Sequence, residues 1–428
     1  MMSSRERVQA ALGHQEADRV PLDLGGCGVT GMHVDAVYKL RQALHLDPPG
    51  TPVKLIEPFQ QLGEIESDLL DALGADLVSL GPPETIFGFR NEGWKSWTTF
   101  AGTPALVPAG FNTDLAPNGE LLTYPRGDKS APPCARMPAG GFYMDALTRQ
   151  DPIDDDHLCV EDNLEEFTPI TKEDLTYLKT ETDRLEKSDR AIMGEFLTGF
   201  GHTNFGDIGQ VPGLDLKHPR GIRAVDEWYM SLSARRDYIQ ELFERQCEIA
   251  LQNLDKIHKV VGERVTVVVI SEADFGGQQG PIISPTTYRT LFKPVHAKVN
   301  NWVHTHTTWK TFIHCCGSIW RLLDDIVDAG FDCLNPVQTS AAQMDPEALK
   351  SKYGSRVTFW GGGVDTQKVL PFGTPDEVRN MVRQRMRVFA PGGGFVFNTI
   401  HNLQAGVPTE NILALYDAVA EHRNYPVS

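Results

Sequence analysis

Apolar positions along the chain recur with two different spacings. Eight short stretches are rich in β-branched and aromatic residues and end in Gly, Asp, Asn or another turn former: residues 19–26, 76–81, 191–200, 265–275, 311–318, 331–338, 357–367 and 394–402. Between them run stretches of helical period, among them 237–258 (DYIQELFERQCEIALQNLDKIH), 319–329 (IWRLLDDIVDA) and 374–389. The last opens on Thr374-Pro375-Asp376-Glu377, a capping residue, a proline suited to the first helical position and two acids at the positive end of the helix dipole. Strand alternating with helix implies a parallel sheet. Eight such units close most simply into an α/β fold of the (β/α)8 type, a TIM barrel, because an open sheet of that size would need a reversal of strand order.

The 428 residues fit one such barrel, a single domain over 1–428, if one connection is long. That connection is 82–190, between the second and third strand segments and far beyond what a βα crossover needs. Gly93-Trp94-Lys95-Ser96-Trp97-Thr98-Thr99-Phe100 has the content of an edge strand, and 151–166 reads as an exposed Asp-rich loop. The excursion is expected to be a hairpin-bearing lid over one mouth of the barrel.

Charge narrows the function classes. The net charge of -17 would repel nucleic acid and anionic membranes. No stretch reaches the roughly 18 apolar residues of a membrane span, and the first residues lack the apolar core of a signal peptide, so a cytoplasmic protein is expected. The seven cysteines fall at irregular spacings, which argues against a disulfide framework.

In a barrel, chemistry sits at the C-terminal ends of the strands. There the sequence puts Cys27, Glu195, Glu272 and Asp274, His314 and Cys316, Asn335 and Gln338, Asp365 and Gln367, and Asn398 and His401. His314 and Cys316 are two apart, so on a strand they share a face while Cys315 points away. A nitrogen and a sulfur on one inward face suit zinc, which needs a third protein ligand; His401, Glu272 and Asp274 are the candidates. The plain alternative is a buried thiol beside a satisfied core histidine. Glu272 and Asp274 share parity and are candidates for acid–base work, or for capping a loop or pairing with an arginine. The remaining cysteines, Cys27, Cys134, Cys159, Cys247 and Cys333, read as small buried hydrophobes. Gly361-Gly362-Gly363 fits no phosphate-loop pattern and suggests close approach of backbone to a large ligand. His304 and His306 close a helical stretch and read as solvated.

Taken together these residues resemble the uroporphyrinogen decarboxylase superfamily, a barrel family that contains porphyrinogen decarboxylases and zinc-dependent, cobamide-linked methyltransferases. The resemblance runs over nearly the whole chain outside the long connection. It is carried by Arg5-Glu6-Arg7-Val8 with Asp18-Arg19-Val20-Pro21; by Gly280-Pro281-Ile282-Ile283-Ser284-Pro285 with Tyr288, Phe292 and Pro294; by His314 to Gly317; by Gly363-Val364-Asp365; and by Phe397-Asn398 with His401 and Val407-Pro408-Thr409-Glu410-Asn411. The decarboxylases carry an arginine-bearing signature after the first strand. Here Gly25-Gly26-Cys27-Gly28-Val29-Thr30-Gly31-Met32 stands instead, with no Lys before Lys39 and no Arg before Arg41, so complementarity to a polycarboxylate is missing.

The methyltransferase branch is similar at His314 and Cys316, which bind zinc there with a later cysteine. No cysteine follows Cys333, and His401 stands about where that cysteine would be. The resemblance implies a zinc-dependent, cobamide-dependent methyltransferase that moves a methyl group between a small methylated ether, amine or thiol and a corrinoid, either methylcobalamin or a corrinoid protein. It implies metal ligation by His314, Cys316 and His401 or Glu272, catalytic roles for Glu272, Asp274, Asp365 and His401, and cofactor contacts from Asn335, Gln338, Gln367 and Asn398. Demethylation is favoured over the reverse direction, with Trp94, Trp97, Phe100 and Phe142 as an aromatic lid. The expected state is a monomer or homodimer. The alternatives are a decarboxylase (carboxy-lyase) and a non-catalytic corrinoid- or tetrapyrrole-binding barrel.

Overall fold

The computed structural model describes residues 2–196 and 203–427; part of the third expected strand segment, 197–200, lies outside the described residues. Seven parallel strands form one curled sheet: β1 (Leu77–Leu80), β2 (Ala191–Gly194), β3 (Val265–Ser271), β4 (Lys310–His314), β5 (Cys333–Asn335), β6 (Thr358–Trp360) and β7 (Phe395–Val396), each hydrogen-bonded to the next in that order. A helix precedes each strand, for example Arg236–Val261 before β3, Lys293–His306 before β4 and Pro375–Phe389 before β7. The expected cap is present: Thr374 and Glu377 bond each other's backbone N–H groups reciprocally. His304 and His306 are exposed at the end of their helix, His304 bonded to Asp332 at 2.7 Å.

The sheet's two edges are joined through residues 20–24, which the sequence assigns to a strand. The N–H of Asp23 donates to the carbonyl of Phe397 beside β7, the N–H of Phe397 to the carbonyl of Pro21, and the N–H of Asp76 to the carbonyl of Leu22. A regular strand does not form there because Pro21 has no N–H to give and Leu22 donates its own to the Asp76 carboxylate at 2.9 Å. Gly25 at φ +74° then turns the chain out.

Strand parity sorts the side chains. Leu77, Met193, Val267, Val269, Phe312, Cys333, Trp360 and Val396 form one buried cluster enclosed by the sheet, with Val8, Ala11 and Leu12 of the helix Ser4–Leu12 packed against it. Val268, Ile270, Ile313, Phe359 and Phe395 belong to the larger core between the sheet and the helices. Burial on both faces is what a parallel strand covered by crossover helices requires, and β3 is buried at every position.

Between β1 and β2 the chain makes antiparallel pairs, Lys95–Thr98 with Pro104–Val107 among them. Lys95–Thr98 is the edge of a four-stranded sheet that continues through Pro104–Val107 to Val53–Glu57 and Leu62–Gly63, two segments that precede β1. A second sheet runs Thr113–Leu115, Leu121–Thr123, Ala135–Met137 and Asp145–Ala146. The aromatic residues expected as a lid are distributed over this region. Trp97 packs edge-on against Phe111 at 5.6 Å, while Phe100 and Phe142 line a cavity of about 220 Å³ with His33 and Asp35. No helix among the described residues is long and apolar enough to cross a membrane.

Candidate metal centre

The inward parity of β4 runs Phe312, His314 and, just past the strand, Cys316, while Ile313 and Cys315 belong to the outer core. His401, in the loop after β7, meets them from across the opening. One ligand atom from each of His314, Cys316 and His401 lies within 4.8 Å of the others, and this is the one trio of histidine, cysteine and carboxylate groups among the described residues that converges so closely. Nε2 of His314 is 3.3 Å from Sγ of Cys316, and the two imidazole rings stand 5.2 Å apart at 77°.

The surrounding hydrogen bonds prepare two of the three. Oδ1 of Asn335, an acceptor only, is bonded to Nδ1 of His314, so the ring proton sits on Nδ1 and the Nε2 lone pair faces the thiol. Asn335 is itself held through Nδ2 by the carbonyl of Trp360 at 3.0 Å. Asp274 accepts the N–H of Cys316 at 2.6 Å and reaches within 4.0 Å of His314 Nε2. His401 differs: its Nδ1 accepts the N–H of Asn402 at 2.8 Å, which leaves the ring proton on Nε2, so ligation through either nitrogen requires this arrangement to change. Burial lowers the pKa of His314 to about 4, and burial with the neighbouring His314 lowers His401 to about 4, so both rings are neutral, the form that binds metal. Burial, then Asp274 and Cys315, push the Cys316 thiol well above its ordinary range, a shift that a bound divalent cation reverses. Two imidazole nitrogens and a sulfur, His314 buried and Cys316 and His401 half-buried, are a donor set that fits zinc with a coordination position open to substrate.

Other expected site residues fall into three groups. Glu272 stands outside the converging trio, so it is not the third ligand in this arrangement; its N–H donates to Asn204 and its carboxylate faces other acids. Glu272 and Asp274 come to the site for a reason other than parity. The even positions of β3, Val268 and Ile270, face outward, and the pairing of β3 with β4 slips between Val269 and Ser271 before the chain leaves the sheet. Asn335 and Gln338 spend their hydrogen bonds inside the protein, Gln338 accepting the N–H of Gly317 at 2.7 Å. Asn398, 3% exposed, donates to the carbonyl of Asp23 and keeps its Oδ1 without a partner.

Asp365 and Gln367 are not drawn in. Asp365 caps its own loop by accepting the N–H groups of Gln367 and Lys368, and Gln367 is exposed, bonded to Ser340. The triple glycine serves neighbouring backbone, not a ligand. Gly361 and Gly362 have φ of +92° and +78°, and a Cβ on them would meet the carbonyl of Thr399 at 2.7 Å and Val337 at 2.8 Å. All seven cysteines are free; Cys27, Cys134, Cys247 and Cys333 are buried as expected, and Cys159 is exposed.

The sequence reading left out Glu57 and Asp207 and passed over Glu195 after naming it at a strand end. Burial raises Glu57, Glu195 and Asp207 each to about 7. Glu195 had a usable signal, since it continues the inward parity of Ala191 and Met193 past the end of β2. Glu57 and Asp207 lie in a strand of the mixed four-stranded sheet and in a loop, and nothing local marks them.

Residues 221–422 match the uroporphyrinogen decarboxylase (URO-D) family. Two curated uroporphyrinogen decarboxylases, from Psychromonas ingrahamii and Herminiimonas arsenicoxydans, are each 31% identical over 105 and 108 residues, which is 24% of this chain and 27% and 28% of theirs. The chain therefore spans little more than a quarter of the length of these relatives. A methyltransferase from Methanosarcina mazei superimposes over 98% of this chain and 99% of its own with a TM-score of 0.54 and 15% identity, a likeness of fold.

Proposed function

Because the chain belongs, through residues 221–422, to the uroporphyrinogen decarboxylase superfamily, we propose that it is a zinc-dependent methyltransferase acting between a small methylated substrate and a corrinoid. The observation that carries this reading is the convergence of His314, Cys316 and His401 within 4.8 Å. In it, these three side chains would hold zinc, which would supply Lewis-acid polarisation of the heteroatom that bears or receives the methyl group. The chain's own groups do the rest. Asn335 fixes the tautomer of His314, and Asp274 fixes the backbone of Cys316. Burial raises Glu272 and Asp274 above their ordinary values, the direction that favours a proton for a leaving heteroatom.

The same reading takes residues 1–428 as one (β/α)8 domain in which 20–24 completes the ring of staves and 82–190 is an insertion. It takes the corrinoid as methylcobalamin or a corrinoid protein and the enzyme as cytoplasmic, a monomer or homodimer. Decarboxylation of a polycarboxylate is disfavoured by the stretch Gly25 to Met32, which offers no Lys or Arg to pair with carboxylates.

The test is metal analysis of protein purified without added zinc. About one equivalent is expected, falling to background in His314→Ala and Cys316→Ala. Less than roughly a third of an equivalent, unchanged by those substitutions, overturns the zinc reading. Methylation of cob(I)alamin by a panel of methyl ethers, amines and thiols then tests the transfer itself; a zinc protein inactive with every donor and acceptor overturns the activity.

A further inference from the structure

The cavity of about 220 Å³ lies outside the metal centre, since none of His314, Cys316 and His401 lines it. It forms where the start of the helix Val34–Ala43 meets loops of the two smaller sheets. Phe100 reaches it after Lys95–Thr98, and Phe142 from between Ala135–Met137 and Asp145–Ala146. The two rings are 42% and 45% exposed, so an apolar occupant would cover surface that water now touches. A space of this size holds one aromatic ring with a short substituent, since benzene binds in an engineered cavity of about 150 Å³.

Buried polar groups line the same space. Asp35 is 2% exposed, and its Oδ1 accepts the hydroxyl of Thr99 at 2.8 Å. Its Oδ2 accepts no hydrogen bond among the described residues, and no Lys or Arg among them pairs with the carboxylate. Nδ1 of His33 stands 3.7 Å from that oxygen and has no proton to offer. It accepts the N–H of Asp35 at 3.1 Å, while Nε2 donates to the carbonyl of Phe142 at 3.0 Å. Burial lowers the pKa of His33, in keeping with a neutral ring. Gln61, also 2% exposed, donates through Nε2 to the carbonyl of Pro58, and its Oε1 accepts nothing among the described residues. The cavity thus joins apolar walls to a buried carboxylate with one oxygen to spare, adds a second acceptor, and has no positive charge in its lining.

This combination selects among ligands. A metal ion needs more ligands than one carboxylate, one amide oxygen and an imidazole with both nitrogens engaged provide. An anion would face Asp35. A guanidinium pairs best across both oxygens of a carboxylate, and Thr99 already takes one. A primary ammonium, with three donors on one atom, suits a single free oxygen and a second acceptor.

We propose that this cavity is a binding site for a small aromatic molecule carrying a primary ammonium group, with Asp35 as the counter-charge, Gln61 as a second acceptor, and Phe100 and Phe142 against the apolar body. The site is separate from the zinc reading and does not depend on it. The test uses three probes of one shape and different charge: benzylammonium, benzyl alcohol and benzoate. Their binding to the full-length protein is measured calorimetrically at pH 7 and low ionic strength.

Benzylammonium is expected to bind at least about tenfold more tightly than benzyl alcohol, and benzoate not measurably. Asp35→Asn, near-isosteric, is expected to lower the ammonium affinity about tenfold and leave benzyl alcohol unchanged, with circular dichroism confirming the fold. Phe142→Ala, at a half-exposed ring, is expected to weaken both of these probes about fivefold. His314→Ala is expected to leave all three affinities as they are, because the metal centre is elsewhere. Equal binding of the three probes, preference for benzyl alcohol or benzoate, or no binding of any overturns the proposal. So does loss of benzylammonium binding in His314→Ala, unaltered charge selectivity in folded Asp35→Asn, or unaltered affinity in Phe142→Ala. Charge-selective binding in a protein that holds no zinc sinks the metal reading and leaves this one standing.

Discussion

The two ends of the parallel sheet treat buried charge in opposite ways. At the N-terminal end Asp76, fully buried, accepts hydrogen bonds from Arg7, from Ser4 Oγ at 2.8 Å and from the N–H of Leu22 at 2.9 Å, with Arg19 at 3.4 Å. Arg7 in turn holds Asp18 at 2.7 Å and the carbonyl of Met2 at 2.9 Å. Asp76, Asp18, Arg7 and Arg19 each have a partner of opposite sign, and the network pins the first helix to the start of β1. At the C-terminal end Glu272 has acids for neighbours and an oxygen with no partner. The first arrangement costs much to break and the second costs something to keep. Structure accounts for the paired charges, and the proposed acid–base chemistry is the simplest account of Glu272.

Breaking the paired end gives the largest expected effect. Asp76→Ala leaves the Arg7 guanidinium buried beside lost partners, and urea unfolding should show a loss of about 3–5 kcal/mol. A loss below about 1 kcal/mol would erase the contrast between the two ends. At the other end, Cys316→Ala should abolish metal retention while changing the stability of metal-free protein by less than about 1.5 kcal/mol, since the thiol anchors nothing else. Asn335→Ala, which frees the His314 ring and the carbonyl of Trp360, should weaken metal affinity by about 10–100-fold in a competition titration. His401→Ala should cost less affinity than Cys316→Ala, because its hydrogen bond to Asn402 must be given up for it to ligate.

The acids at the C-terminal end should reveal themselves through pH. Burial raises Glu57 from 4.5 to about 7. The folded state therefore favours its protonated form, so the contribution to stability is complete below pH 4.5 and is lost as pH rises through about 7. Glu57→Gln removes that loss. Its stability relative to the parent should be near zero at the acid limit and rise to a plateau of about 1 kcal/mol above neutrality, the partial solvent contact of the group holding the figure down. A difference that is flat with pH would mean Glu57 ionises freely. The smallest effect belongs to the exposed helix pair Lys179 and Asp183, 2.7 Å apart: Lys179→Ala should change the unfolding free energy by no more than about 0.5 kcal/mol.

Much of this molecule was legible in its sequence because the relevant information is local. Apolar period alone located the seven strands of the sheet and, among the helices before them, those of 237–258, 319–329 and 374–389, and the two-residue spacing of His314 and Cys316 put both on the inward face, since alternation along a strand needs only the strand to exist. The same alternation pointed to Glu195. It failed for Glu272 and Asp274, whose approach to the site depends on a slip in pairing with β4, and for residues 19–26, where Pro21 and the Asp76 carboxylate take the chain out of regular strand geometry. The four-stranded sheet drew in Val53–Glu57 by parallel pairing with Pro104–Val107, which no local pattern assigns to it, and with it came Glu57. Periodicity reports how a segment meets its surroundings, so the chain by itself determined the elements and the faces of the strands. Which residues meet across the opening, His401 with Cys316 or Asp207 with Glu272, is decided by how the sheet curls and where its loops return. That depends on the packing of distant segments, and only the tertiary structure holds it.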